Sequence, residues 1–210
     1  MARLPATTPG LAVGLFGGSF DPPHRGHLTA AGLALRRLGL DRVWWLVTPG
    51  NPLKDTGGLA PLAERMAAVR ALCEDPRMVA TDAETRLGTR YTIDLVRRLV
   101  RLRPGVRFVL VVGADNWATM HRWGHWREIC RLVPIAVVDR PGATFAALSS
   151  PAARAFAGAR LRGGDGRRLP GCRPPAWILL TGRRVALSST AVRAAHGRAA
   201  ANPAENTRAT

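Results

Sequence analysis

Gly17-Gly18-Ser19-Phe20-Asp21-Pro22-Pro23-His24-Arg25-Gly26-His27 separates a short apolar run, Leu11 to Phe16, from an Ala/Leu-rich segment that begins at Leu28. Apolar run, glycine turn and Ala/Leu segment read as a strand, a tight turn and the start of a helix. Two glycines let backbone amides come close to a phosphate, and the proline pair ends the turn. The opening helix then directs unpaired N–H groups and its positive dipole end at the same point. His24 and His27, three residues apart, face one side of a helical first turn, where both rings can donate to one phosphate chain. The stretch predicts an anion-binding site, in competition with a structural turn that carries two surface histidines.

Outward from this turn, strand and helix signals alternate. Leu28 to Leu38 reads as a helix ended by Gly39, and Arg42 to Val47 as a second strand broken by Thr48-Pro49-Gly50-Asn51-Pro52. Leu62 to Leu72 has helical spacing, Met78 to Thr81 is a short strand, and Thr92 to Leu102 is a helix with Ile93, Val96, Leu99 and Val100 on its apolar side. Val106 to Val112 is nearly all apolar, which suits a strand buried on both faces. Ile135 to Val138 and Trp177 to Leu180 complete the strands. This alternation predicts an α/β fold, a Rossmann-like doubly wound parallel sheet in a single domain over 11–197, with a small C-terminal helical, phosphate-binding subregion. Gly113-Ala114-Asp115 closes the buried strand as Gly17-Gly18 closes the first. The two strands are therefore expected side by side, with the site across both loops. Residues 141–175, rich in Pro, Gly, Ala and Arg, read as a mobile or partly helical insertion, and 1–10 and 198–210 as flexible ends.

A chain of 210 residues suits one medium domain with a real core. Its net charge of +17 attracts polyanions over distance. Nearly all its cations are Arg, Lys54 being the only Lys, a bias that a GC-rich genome also produces, so the charge does not make nucleic acid the primary partner. Cys73, Cys130 and Cys172 are odd in number and widely spaced, which argues against a disulfide framework or a Cys-based zinc site and predicts a reduced, cytoplasmic setting. The run from Leu11 to Phe16 is too short for a signal segment, and nothing approaches a membrane span.

Near the other end, Leu187-Ser188-Ser189-Thr190-Ala191-Val192-Arg193 places three hydroxyl residues at a helix N-terminus, with Arg193 on the face of Thr190. Alone this is a Ser/Thr cap beside a solvated Arg; with the first turn it becomes a second phosphate grip. The chain resembles the bacterial nicotinate-nucleotide adenylyltransferases of the HxGH nucleotidyltransferase superfamily. The resemblance rests on Gly17 to His27, Tyr91-Thr92-Ile93-Asp94, Gly113-Ala114-Asp115, the Trp123 segment and Leu187 to Arg193, in that order. It makes 11–197 a nucleotidyltransferase domain. It implies transfer of AMP from ATP to nicotinate mononucleotide in NAD biosynthesis, with Mg2+ that ATP carries rather than a protein metal site.

By resemblance, His24 and His27 contact the ATP phosphates, His27 chiefly in the transition state. Ser189, Thr190 and Arg193 hold the β and γ phosphates, Gly17, Gly18 and Ser19 line the junction of the two nucleotides, and Gly113 and Asp115 belong to the adenosine side. Asp115 binds a ribose hydroxyl of the adenosine; a helix N-cap is an alternative role, and the two are compatible. Asn51, Lys54, Thr92, Trp123 and Gly124 fall to the mononucleotide: Trp123 under the ring, the Gly124 amide at its carboxylate, Thr92 framing the pocket. Lys54 is either a phosphate contact or an ordinary loop lysine. Trp123 and Trp126 share helical spacing, of which Trp123 is read as ligand-facing and Trp126 as core. His121 and His125 could pair on a metal if a helix ran through them, but Gly124 interrupts it.

The chemistry suits these residue types. A phosphate monoester with a second pKa near ~6 is already ionised at neutral pH and needs no general base, so catalysis reduces to alignment and charge neutralisation. Other enzymes share the phosphate grips, among them phosphopantetheine adenylyltransferase, the cytidylyltransferases and an adenylyltransferase that takes nicotinamide mononucleotide. Class I aminoacyl-tRNA synthetases have a related histidine element but also a lysine-rich signature that this chain lacks. From another class, a basic RNA-binding protein would account for the charge and the Arg-rich stretch 154–173, without any aromatic-basic RNA motif. The sequence fixes no oligomeric state.

Overall fold

Apolar runs of four to seven residues, most of them buried along their whole length, form the centre of the chain. The computed structural model describes residues 4–50 and 58–182. In it, β1 (Ala12–Gly18), β2 (Arg42–Val47), β3 (Met78–Thr81), β4 (Arg107–Gly113), β5 (Ile135–Val138) and β6 (Trp177–Leu180) form one sheet in the order β3-β2-β1-β4-β5-β6. Every neighbouring pair is parallel; Leu15 faces Trp44 of β2 on one side and Leu110 of β4 on the other. From β1 the chain winds outward to β3, then returns to place β4 on the opposite flank of β1. The loops after β1 and β4 thus diverge and leave a crevice at their carboxyl ends, as expected from the sequence.

Side chains that alternate across the sheet divide the core into two layers. Trp44 and Trp45, consecutive on β2 and both inaccessible to solvent, fill opposite faces. Trp44 meets Phe108 at 5.9 Å, whereas Trp45 lies 5.2 Å from Phe16 and 5.0 Å from Phe20. Helices α1 (Arg25–Leu38) and α2 (Leu62–Leu72) and a 3-10 segment, Gly163–Gly171, cover the Trp45 face. The Trp44 face lies under α3 (Ala83–Leu87), α4 (Thr92–Leu102), α5 (Ala114–Thr119), α6 (Trp126–Leu132), α7 (Thr144–Leu148) and α8 (Pro151–Ala155). No helix among the described residues is long and apolar enough to cross a membrane.

β2, β3, β5, β6, α2 and α4 have the bounds expected from sequence, while β4 is displaced by one residue, to Arg107–Gly113. α1 starts three residues before Leu28, because His24 caps it, and ends on Gly39 in the left-handed region (φ 63). On α4 the buried positions are Ile93, Leu95, Val96 and Leu99, and Val100 is exposed, so the apolar stripe is turned by one position toward Leu95. The short helices α3 and α5 carry too little periodicity to be foreseen. Residues 141–175 hold α7, α8 and two 3-10 segments, and they bury Ala147, Ala152, Phe156 and Leu169. Trp177 Nε1 donates to Phe156 O at 2.8 Å, which ties that stretch to β6. Leu4 also packs into the core, and Gly10 N donates to Gly105 O at 2.8 Å.

Gly166 shows how closely the 163–171 segment docks: a Cβ there would stand 2.6 Å from Arg37 O at the end of α1, whereas one on Gly164 would meet nothing within 4 Å. Backbone atoms cannot yield as a flexible side chain does. Gly166→Ala is therefore expected to lower stability by about 1–3 kcal/mol, the usual cost of overpacking, and Gly164→Ala to change it little. Urea denaturation midpoints of the two variants check this; equal midpoints would mean that the segment does not bear on α1.

Candidate active site

The turn after β1 and the first turn of α1 are built around two histidines. His24 is the N-cap of α1, and its Nδ1 accepts from Gly26 N at 3.1 Å; His27 Nδ1 accepts in turn from His24 N at 3.3 Å. The sequence leaves the first-turn amides free for a ligand; in the structure the His24 ring takes one of them, Gly26 N, as an Asn or Asp cap would, and the His27 ring takes the N-cap amide of His24. The rings stack with centroids 3.8 Å apart and 26° between planes. With Nδ1 used as acceptor, a neutral ring carries its proton on Nε2. His24 Nε2 is buried with no hydrogen-bond partner among the described residues.

Both rings favour the neutral form. Burial lowers the His24 pKa, and the Arg140 charge lowers it further. His27 is pushed down to about 3, first by burial, then by His24, then by Arg140. The burial is aromatic: Phe20 lies edge-on to His27 at 5.1 Å, Phe16 at 6.3 Å and Trp45 at 6.5 Å. Phe20 reaches this place through a left-handed backbone (φ 48). Its ring would lie 3.1 Å from any Cβ on Gly18, whereas a Cβ on Gly17 would meet nothing within 4 Å. Of the two glycines, Gly18 thus makes room for an aromatic ring and Gly17 leaves the strand end open.

Beside the turn lies a cavity of about 180 Å³ at the carboxyl ends of β1, β2 and β4. Gly17, Gly18 and Ser19 form one side of it, Tyr91, Thr92 and Leu95 at the start of α4 another, and Trp123 and Gly124 a third. An apolar cavity of ~150 Å³ accepts a benzene ring, so this one admits a substituted six-membered aromatic ring. Glu84 also lines it, its carboxyl raised by burial against the opposing hydrogen bond from Thr48. Trp123 and Trp126 do not share a helix: a 3-10 turn, Met120–Arg122, ends in extended Trp123, and His125 takes a left-handed conformation (φ 53) before α6. The break sends Trp123 to the cavity and Trp126 into the core, 6.0 Å from Phe156. It also removes the helix on which His121 and His125 could have paired.

At the end of β4, the N-cap of α5 is Gly113, and Asp115 is the second residue of that helix. Helix capping by Asp115 is thus corrected: its carboxylate is exposed and stands 3.5 Å from Arg140 Nε. A Cβ on Gly113 would strike the Asp115 carboxylate and approach Arg140 Nε to 3.0 Å, so the glycine is what permits this pair. Arg140, just past β5, Arg65, on α2, and Glu84 and Arg90 in the cavity wall are residues of the site that the sequence alone does not mark. Arg140 follows a strand end in an Asp-Arg-Pro-Gly turn, which was its available signal; nothing local distinguishes Arg65 from the other arginines. Asn51, Lys54, Ser189, Thr190 and Arg193 lie outside the described residues.

The depressed pKa of His27 has a consequence for stability. Between about 6.5, the unfolded value, and about 3, the unfolded chain binds a proton that folded His27 refuses. Stability is thus full above pH 6.5 and falls as pH drops through this window, by at most about 1.4 kcal/mol per pH unit from this group. Urea midpoints between pH 7 and pH 4 are expected to fall more steeply for the parent than for His27→Gln. Parallel curves would show that His27 titrates normally in the folded chain.

Residues 15–195 match the cytidylyltransferase-like family model. A Methylorubrum extorquens protein (strain PA1) named "Probable nicotinate-nucleotide adenylyltransferase" is 56% identical over 87% of this chain and 99% of its own length. One of the same name from Bradyrhizobium sp. (strain ORS 278) is 54% identical over 87% of this chain and 95% of its own. Among solved structures, Plasmodium falciparum nicotinic acid mononucleotide adenylyltransferase complexed with NaAD shares the fold, with a TM-score of 0.66 and 14% identity over 88% of this chain and 83% of that one. The chain belongs to the nicotinate-nucleotide adenylyltransferase family.

Proposed function

We propose that this chain transfers AMP from ATP to nicotinate mononucleotide, forming nicotinate adenine dinucleotide and releasing pyrophosphate. The observation that carries this reading is the juxtaposition, at one strand end, of two neutral imidazoles with Nε2 protons to donate and a cavity the size of a pyridine ring. A phosphate oxygen of the mononucleotide attacks the α-phosphorus of ATP, and the bond from that phosphorus to the α–β bridging oxygen breaks, its electrons leaving with pyrophosphate. The attacking oxygen is already ionised, so no group in the site has to remove a proton.

The chain's own residues then align and neutralise. His24 and His27 donate to the ATP phosphates without bringing charge, and Arg140 supplies a fixed cation near both rings. Gly17, Gly18 and Ser19 give the backbone at which the two nucleotides meet, and Gly113 and Asp115 flank the adenosine side. Trp123 is the wall for the pyridine ring, while Thr92, the α4 N-terminus and the Gly124 amide face its carboxylate. Ser189, Thr190 and Arg193 for the β and γ phosphates, and Asn51 and Lys54 for the mononucleotide, are assigned on sequence. Magnesium enters as part of the ATP substrate. The setting we propose is reduced and cytoplasmic, on the odd number and wide spacing of Cys73, Cys130 and Cys172.

Removal of the His27 donor is expected to lower kcat by about a hundredfold or more while ATP affinity changes much less. Purified, folded His27→Ala with parental turnover would sink the role given to it. Trp123→Ala is expected to cost the mononucleotide, and not ATP, about 1–3 kcal/mol, roughly 5- to 150-fold in kcat/KM, as for other base–aromatic stacks.

The acceptor is tested by the ratio of kcat/KM for nicotinate and nicotinamide mononucleotide at matched ATP and magnesium. A carboxylate accepts charge-assisted bonds from the amides it faces, and an amide must turn its own NH2 away from them. The acid is expected to win by more than about tenfold, since such bonds contribute about 1.5 kcal/mol or more. A ratio near one would remove the nicotinate assignment and leave adenylyl transfer in place.

A further inference from the structure

Arg65 lies in the first turn of α2 with 3% of its surface exposed, a charged group inside the protein. Carbonyl oxygens from three separate segments receive its hydrogen bonds. Nε donates to Ala60 O at 2.8 Å; one terminal nitrogen donates to both Ser19 O and Thr48 O at 2.7 Å; the other reaches Pro49 O at 3.5 Å. Ser19 ends the glycine turn after β1, Thr48 and Pro49 follow β2, and Ala60 precedes α2. Thr48 N also donates to Gly18 O at 3.1 Å, so the two strand ends are joined from both sides.

A cation this deeply buried is costly unless its donors are satisfied. Where only packing is required, an apolar side chain serves at no such cost. What the guanidinium adds is a rigid planar fork that reaches several acceptors at once, which a lysine ammonium on a flexible stem cannot match. Its effect is to fix the loops after β1 and β2 against each other. Asp21, in the same turn, favours the charged form of Arg65 against the burial that disfavours it. Within eight residues of Ser19 stand both histidines, and Gly17 to Ser19 line the pyridine-sized cavity.

We propose that Arg65 is a positioning residue for adenylyl transfer, which sets the register of the Gly17–Ser19 turn against the loop after β2 through its hydrogen bonds to Ser19 O, Thr48 O, Pro49 O and Ala60 O. This rests on the adenylyltransferase reading above. Arg65 does not line the cavity, and its described hydrogen bonds go to backbone carbonyls. Its loss moves the two reacting groups relative to each other without deleting a contact to either. A displacement near 1 Å costs about a hundredfold in rate, so the penalty falls on the chemical step rather than on binding.

The test uses the full chain with Arg65→Lys and Arg65→Gln, and measures three quantities: ATP-binding stoichiometry and affinity by calorimetry, thermal midpoint, and single-turnover rate with both nucleotides saturating. The expected result is one ATP bound per chain at nearly parental affinity, with a single-turnover rate lowered about 10- to 100-fold, less in the Lys variant than in the Gln variant. A Lys variant with a rate within about twofold of the parent overturns the proposal. So does a rate that falls only in proportion to ATP-binding stoichiometry, or failure of both variants to fold, since Arg65 then serves stability alone. A parent chain that turns over neither mononucleotide refutes the adenylyltransferase reading itself, an outcome that the variants do not produce.

Discussion

Two imidazole rings stacked 3.8 Å apart, each with Nδ1 occupied by a backbone N–H, set the terms for the rest of the site. Occupied Nδ1 atoms fix the tautomer, and the tautomer leaves Nε2 as the donor on both rings. Stacked cations at that distance would repel, and the surrounding Phe16, Phe20 and Trp45 exclude the water that would screen them. The pair is thereby confined to the neutral form at physiological pH, in which each ring is a donor of fixed direction. In the adenylyl transfer proposed above, donors of this kind would assist the transfer of charge from the α-phosphate to a leaving group without binding the ground-state polyanion so tightly that the gain is cancelled.

The arrangement is possible only because the sheet reverses its winding between β1 and β4. Were they separated, the β1 turn and the Gly113-Ala114-Asp115 turn could not flank one crevice. Parallel strands buried on both faces place every turn of one sense at the same edge. The Trp44 and Trp45 pair bears the cost of this layout: on the central part of the sheet each face must be closed by large side chains, and both indole N–H groups are left without partners among the described residues. The surplus of arginine has a separate effect. A net charge of +17 draws phosphorylated substrates over a distance comparable to the screening length, which changes encounter rates rather than the fold.

How far the sequence could be read follows from the range of the interactions involved. Elements whose periodicity is local, such as Arg42–Val47, Thr92–Leu102 and Trp177–Leu180, were legible to the residue. So was the adjacency of β1 and β4, because two glycine-terminated apolar runs imply a shared crevice. What could not be read depends on partners distant in sequence. The role of Gly18 is set by the ring of Phe20 in an unusual backbone conformation, and that of Gly113 by Arg140, twenty-seven residues away. Histidines as self-capping residues were also hidden, since a sequence shows which side chains could accept a first-turn amide but not which do.

Arg65 and Trp123 illustrate opposite uses of irregular backbone next to a regular sheet. Around Trp123 the helix breaks at Gly124 and left-handed His125, so one indole is released toward the cavity while Trp126, three residues on, remains in the core. Around Arg65 the irregular ends are gathered: carbonyls that no strand neighbour satisfies beyond β1 and β2 converge on one guanidinium. A crevice at strand ends necessarily exposes such carbonyls, because the ladder that paired them has stopped. If water satisfied them, the turn would be free to adjust to each ligand. A buried planar cation satisfies them in one geometry, and this makes the Gly17–Ser19 turn a fixed surface at the mouth of the crevice.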